Sequence, residues 1–401
     1  MKNIFFVGII VSLLFCACKQ ETAKERSSTL QNKAVSEVEL LADNQLRYIE
    51  LSGSPYERGL THGKLLKKEI REVIRLFKED IQNVTNEDPD AFIAEFLKQT
   101  DYKSAIQKWT PDLLEEMKGI AEGSEIDMST IFMHQLGDEY WFNTRDILAH
   151  SCSSFGVNKS TKQPSIAAQN MDIPPFYHGF QTVVKIMDPD SDKEMIFLTI
   201  PGHLGITGMN NRSVSINCNT LMQLDYGKTG LPVTCIVRGV VAKNTQEEAL
   251  AFLHSIDHAS GQNYIIGGPQ KVFSMECSAN KVAEFRPFEN SEFTYHTNHP
   301  MTNSDYSPAF LTYLKEQGLT LEESLNQCQR IQSFEERFTA ETENIDIEDI
   351  KNVLRSRDNE SKDVVSNEHT YASVIYVLSD NPKFLIAPGK PHEHDYLEIS
   401  F

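Results

Sequence analysis

From Tyr56 to about Val84 apolar residues recur every three or four positions, so that Leu65, Leu66, Ile70, Val73, Ile74 and Phe77 fall on one face of a helix. Segments over 89–107, 110–123 and 128–143 repeat the pattern, the last two separated by Gly123-Ser124-Glu125-Ile126-Asp127. At Cys152 the period changes. Alternating or continuous apolar runs at 165–171, 181–187, 194–200, 213–219, 271–277, 281–286, 292–298, 371–378 and 383–387 predict strands. Turns such as Asp188-Pro189-Asp190 and Ser278-Ala279-Asn280-Lys281 separate them. Helices over 245–255 and 320–332 interrupt the strands, opened by the capping boxes Thr245-x-x-Glu248 and Thr320-x-x-Glu323. Runs of mostly hairpin-joined strands broken by helices predict an α+β fold, with two antiparallel sheets face to face and helices outside.

The first residues read differently. Lys2 and Asn3 precede an apolar run from Ile4 to Phe15, too short to span a bilayer, which ends in Cys16-Ala17-Cys18. Such a run ending in Ala17-Cys18 resembles a bacterial lipoprotein signal, with Cys18 as the residue acylated after cleavage. Residues 1–17 are therefore expected to be a signal peptide. The Lys-, Glu-, Gln- and Ser-rich segment 18–44 is expected to be a flexible tether. An exported, membrane-anchored protein follows from this. The formal net charge of −19 argues against a nucleic-acid partner, because phosphate binding needs clustered Lys and Arg. Beyond Cys16 and Cys18 there are five cysteines, an odd number that leaves at least one thiol unpaired in an exported chain. No Cys/His spacing typical of zinc occurs, and His392-Glu393-His394 reads as a solvated polar tail rather than a metal site.

Cys152 stands in His150-Ser151-Cys152-Ser153-Ser154-Phe155-Gly156, at the opening of the first strand-like segment. Gln169-Asn170-Met171-Asp172 ends the next strand, and Thr297-Asn298-His299-Pro300 follows a later one. Taken singly, these residues have ordinary readings: a buried cysteine is a small hydrophobe, Asp172 a turn residue, Asn298 a cap before Pro300. Together a thiol, an acid and a side-chain amide suit acyl transfer, in which the sulfur attacks a carbonyl and the amide N–H holds the oxyanion.

Five stretches carry a further resemblance. They are Gly53-Ser54-Pro55-Tyr56-Glu57-Arg58-Gly59 with His62-Gly63; Ser151-Cys152-Ser153-Ser154; Ala168-Gln169-Asn170-Met171-Asp172; Gly205-Ile206-Thr207-Gly208-Met209-Asn210 followed by Asn217-x-Asn219-Thr220-Leu221; and Thr297-Asn298-His299. In this order the chain resembles the acyl-coenzyme A:6-aminopenicillanate acyltransferase family. More broadly it resembles the N-terminal-nucleophile (Ntn) hydrolases, which include choloylglycine hydrolases and penicillin V acylase. The resemblance implies a four-layer αββα fold, a helical N-terminal segment over 45–151, and the remainder over 152–401 forming one domain with it. It also implies a precursor that cuts itself between Ser151 and Cys152. The freed α-amine, titrating at about 7.7–8.0, then serves the thiol as its base. Asp172 matches the acid that orients the amine, Asn298 the oxyanion donor, and Asn219 a further polar contact near the thiol.

Three departures from the family pattern stand out: Ser151 where many relatives have glycine, Gln169 where arginine is common, and no arginine beside Tyr371-Ala372-Ser373-Val374-Ile375 matching the one bile-salt hydrolases use, so that substrate is not implied. The implied activity is hydrolysis or transfer of acyl groups from a small-molecule N-acyl substrate, with no cofactor and no metal. The competing readings are a papain-like thiol hydrolase using His203, His296 or His299, and a binding lipoprotein that has lost catalysis. His150 would help the self-cut or fill a loop.

Overall fold

Two short strands open the described part of the chain, β1 (Glu39–Leu41) and β2 (Leu46–Leu51). In the computed structural model residues 37–144, 152–325, 328–358 and 363–401 are described. The signal segment, Cys18, His150 and Ser151 lie outside them. β1 pairs with β2, so part of the segment expected to be tether is structured.

Seven helices follow: α1 (Pro55–Leu65), α2 (Lys67–Thr85), α3 (Pro89–Gln99), α4 (Tyr102–Trp109), α5 (Asp112–Ser124), α6 (Met128–His134) and α7 (Gly137–Thr144). Each of three expected helices is thus divided in two. The expected helix over 56–84 breaks at Leu66, and that over 89–107 at Thr100-Asp101, where Asp101 caps α4 by accepting from the Ser104 N–H at 3.2 Å. The Gly-Ser-Pro-Tyr-Glu motif is a helix start: Ser54 caps α1, Pro55 opens it, and the Glu57 carboxylate takes the Ser54 N–H at 2.9 Å. Further along, Gly59 and Gly63 on α1 meet Gly119 and Gly123 on α5 backbone to backbone. A Cβ on Gly63 would sit 2.5 Å from the Ile120 carbonyl oxygen, and one on Gly123 would sit 2.5 Å from that of Leu60. Glycine is required where the two main chains touch. Beside this contact the buried Glu116 binds Arg238 at 2.7 Å and Arg58 at 2.6 Å. Burial alone would raise the Glu116 pKa, but the two guanidinium groups outweigh it and hold it at about 2.

The rest of the chain comprises β3 (Ser153–Val157), β4 (Ser165–Asp172), β5 (Thr182–Met187), β6 (Glu194–Thr199), β7 (Thr207–Asn210) and β8 (Ser215–Thr220). Helices α8 (Val233–Val241) and α9 (Gln246–Ser255) come next, then β9 (Gln262–Gly267), β10 (Val272–Cys277), β11 (Val282–Phe285) and β12 (Phe293–His296). The chain closes with α10 (Pro308–Gln317), α11 (Leu321–Leu325), α12 (Gln329–Arg337), α13 (Ile347–Leu354), β13 (Thr370–Leu378), β14 (Lys383–Ala387) and β15 (Leu397–Ile399). A nine-stranded sheet runs β1-β2-β5-β6-β7-β8-β9-β10-β11, and a six-stranded sheet runs β12-β3-β4-β13-β14-β15. Among the described strands every pairing is antiparallel except β2 with β5, a parallel pair that departs from the all-antiparallel expectation.

Strand alternation assigns the faces. In β3, Phe155 and Val157 point outward to α12 and α13, where Phe334 stacks on Tyr295 at 5.4 Å. Ser154 and Gly156 point at the large sheet, and Gly156 leaves room for Val272. Gln169, from β4, bridges to β8 by donating to the Cys218 carbonyl. Helices α8 and α9 pack on the outside of the large sheet. The result is four layers, helix–sheet–sheet–helix, as expected for an αββα fold.

Candidate active site

Cys152 lies immediately before β3, Asp172 is the last residue of β4, and Asn298 stands two residues beyond β12. Because β3 pairs with both β4 and β12, the sheet brings the three chain ends together. By parity with Ser154 the Cys152 side chain faces the space between the sheets, and it is only 5 % exposed. Its sulfur lies 3.3 Å from the Asp172 backbone nitrogen, which donates to it, and 3.9 Å from Met171 Sδ. Burial, then the charge of the neighbouring Asp172, push the thiol pKa up, with only partial relief from the Asp172 N–H and Arg330.

Asp172 accepts from Asn367 Nδ2 through Oδ2 at 2.6 Å. Its Oδ1 is buried and has no hydrogen-bond partner among the described residues. Burial raises this carboxyl to about 7, partly offset by Thr370 and Asn367.

Asn298 is oriented from both ends. Its Nδ2 donates to the Thr220 carbonyl at 2.9 Å, leaving one N–H over, and its Oδ1 accepts from Arg330 Nη1 at 3.2 Å. The same Arg330 nitrogen donates to the Cys152 carbonyl at 2.5 Å, while Arg330 Nε binds Asp363 at 2.6 Å. A buried guanidinium thus ties the thiol's main chain to the amide and fixes which way that amide points. The sequence reading did not single out Arg330. Its signal was available: with Ile331 and Phe334 it forms one face of a helix starting at Gln329, which places the side chain inward.

Asn219 ends up close by, accepting from Ser154 Oγ at 2.7 Å and pointing its Nδ2 at the His296 carbonyl at 3.5 Å. Gln169 is engaged at both ends with the Cys218 backbone, so this position links the sheets. The positive charge beside the thiol comes instead from Arg330.

No histidine nitrogen among the described residues reaches the Cys152 sulfur. His203 hydrogen-bonds Thr234 at 3.0 Å, and His296 sits between the Thr297 carbonyl and Glu276, each at 2.8 Å. His299 faces Cys328 instead. Burial would raise that thiol, but Arg330 and His299 outweigh it and bring it down to about 7. The two ring nitrogens of His392 contact Ser366 at 2.6 Å and Arg357 at 3.0 Å.

The acyl-coenzyme A:6-aminopenicillanic-acid-acyltransferase 40 kDa form of Emericella nidulans is 24% identical over 258 residues, covering 64% of this chain and 70% of that protein. Among solved structures, the N-acylethanolamine-hydrolyzing acid amidase ortholog of Caenorhabditis elegans superposes with a TM-score of 0.40 at 19% identity, over 56% of this chain and 92% of that one. A mutant conjugated bile acid hydrolase of Clostridium perfringens gives 0.39 at 14% identity, over 62% and 92%. The model of the acyl-coenzyme A:6-aminopenicillanic acid acyl-transferase family matches residues 158–388, more than half of the chain, and the protein belongs to that family.

Proposed function

We propose that this protein is a cysteine amidohydrolase that cuts its own chain between Ser151 and Cys152 and hydrolyses small N-acyl compounds through a thioester on Cys152. The observation that carries the reading is a thiol kept protonated by burial, with no side-chain base in reach among the described residues. A new amino terminus at Cys152 supplies the missing base within the same residue. The unpartnered Oδ1 of Asp172 is suited to accept from that amine and hold it beside the sulfur.

The chemistry then proceeds in two halves. The α-amine takes the thiol proton, and sulfur attacks the substrate carbonyl carbon. The remaining Asn298 N–H donates to the oxyanion, with Asn219 close by. Collapse of the intermediate expels the leaving amine, which takes its proton from the α-ammonium, and leaves an acyl thioester. Water, deprotonated by the same amine, attacks the thioester, and the acid departs as the thiol is regenerated. Arg330 holds Asn298 and the Cys152 carbonyl in register throughout.

The apolar run ending in Ala17-Cys18 supports export and attachment to a membrane through a lipid on Cys18. In that setting acyl-coenzyme A is scarce, which favours hydrolysis over transfer.

The test is intact mass and N-terminal sequencing of the wild-type chain and of Cys152→Ala, together with turnover of a panel of N-acyl amino acids and penicillin V. Wild type is expected to show a new start at Cys152 and release free acid, and the variant to do neither. An active wild-type chain that remains whole at residue 152 would overturn the proposal.

A further inference from the structure

Asp138 stands in the first turn of α7, the last described element before the Ser151–Cys152 bond, yet its carboxyl group reaches into the second part of the chain. Its Oδ1 accepts from Thr220 Oγ1 at 2.6 Å and from Gln262 Nε2 at 3.0 Å. Thr220 ends β8 and Gln262 begins β9, and the two residues are direct cross-strand partners. One carboxylate oxygen therefore clamps the ends of two neighbouring strands. The Thr220 carbonyl is also the acceptor that holds Asn298 Nδ2 at 2.9 Å. A continuous line of contacts runs from Asp138 through Thr220 and Asn298 to Arg330 and the Cys152 carbonyl. Glu139, the next residue, fastens the same helix by accepting from the Val233 N–H at 3.1 Å and from Ser260 Oγ at 3.1 Å.

We propose that Asp138 is a positioning residue for the oxyanion amide: from the upstream side of the cleavage bond it fixes the Thr220 carbonyl, and through it the angle at which Asn298 presents its free N–H. The inference rests on the reading of function given above. It makes the upstream segment a working part of the mature site, not a spent leader, because without Asp138 the end of β8 is free to shift. A displacement of a few tenths of an ångström at Thr220 moves the one donor that must meet the developing oxyanion.

The role is tested in the full-length chain with Asp138→Ala, Asp138→Asn and Thr220→Val, each assayed on whichever N-acyl compound the wild type turns over fastest. Loss of a whole oxyanion donor costs about 10²–10³ in kcat, so a misaimed donor is expected to cost roughly tenfold to a hundredfold. Asp138→Ala and Thr220→Val should both show this fall in kcat with KM changed less than about threefold. In Asp138→Asn the amide oxygen can accept both hydrogen bonds, and kcat should return to within about threefold of wild type. Thermal midpoints of all three variants accompany the kinetics; Thr220→Val keeps the shape of the strand end and reports even if Asp138→Ala folds poorly. Wild-type kcat in Asp138→Ala or Thr220→Val would overturn the inference and leave the reading of function standing. So would equal losses in the Asn and Ala variants. Failure of the wild type to hydrolyse any of the compounds would sink the reading of function itself, and the role of Asp138 with it.

Discussion

Replacing Arg330 by methionine should damage stability and catalysis together, and the contacts give the size of each effect. Methionine keeps an apolar stem in the buried space but removes every donor. The Cys152 carbonyl loses a 2.5 Å bond and Asn298 Oδ1 a 3.2 Å bond, both in the buried interior. A buried acceptor left unpaired costs about 1–3 kcal/mol, so these two together cost about 2–6 kcal/mol. Asp363 is 35% exposed and can turn to water, so its loss adds little. The 3.4 Å contact to Ser153 is long enough to leave out. On the catalytic side, Asn298 keeps its N–H but loses the partner that fixes its amide, and kcat should fall by about tenfold to a hundredfold. Arg330→Lys retains a charge but not the fork that meets Cys152, Asn298 and Asp363 at once, and should fall between methionine and wild type. Urea unfolding at neutral pH and steady-state hydrolysis of an N-acyl substrate measure the two effects. An Arg330→Met protein within about 0.5 kcal/mol of wild type would refute the stability argument, and an unchanged kcat would refute the orienting role.

Two further substitutions test separate parts of the molecule. Gly123→Ala puts a methyl group 2.5 Å from the Leu60 carbonyl oxygen, so α1 and α5 must separate; a loss of about 1–3 kcal/mol is expected in thermal or urea unfolding, and a neutral substitution would show that the helices are not in backbone contact. Asp172→Asn should keep the fold but lower kcat about a hundredfold by loosening the amine, and it should change the response to pH. Burial lifts the folded Asp172 carboxyl to about 7, above its unfolded value, so the stability it contributes is fully present below about pH 4 and lost as pH rises through about 7. At pH 8 the asparagine variant should therefore be the more stable protein, by roughly 4 kcal/mol, and a wild type that instead gains stability between pH 5 and 8 relative to the variant would reverse that sign.

Much of this arrangement was legible from residue order. The change of period at Cys152 marks where helices give way to sheets, and the order thiol strand, acid strand, amide strand brings Cys152, Asp172 and Asn298 together. The breaks within the helices were hidden because the apolar stripe keeps its phase across Leu66, so periodicity reads α1 and α2 as one. Helix α8 was hidden for the opposite reason: Val-Thr-Cys-Ile-Val-Arg-Gly-Val-Val is buried on every side and has no polar face to set a period. In β2 the adjacent, half-buried Arg47 and Tyr48 break the alternation, and its partner β5 lies far along the chain. The glycine spacing in α1 and α5 was visible in each helix. That the two sets face each other is a tertiary fact. Arg330 was missed because a lone arginine in a polar helix looks solvated until the small sheet covers it.

The parallel pairing of β2 with β5 governs when this protein can finish folding. β2 is made before any of α1 to α7, but the strand that accepts it comes after all of them and after β3 and β4. Until β5 is synthesised, β2 has β1 on one edge and no partner on the other, and long-range pairings of this kind form slowly. Closure of the large sheet is thus a late event, and the emerging chain depends on remaining unaggregated until its own middle has been made.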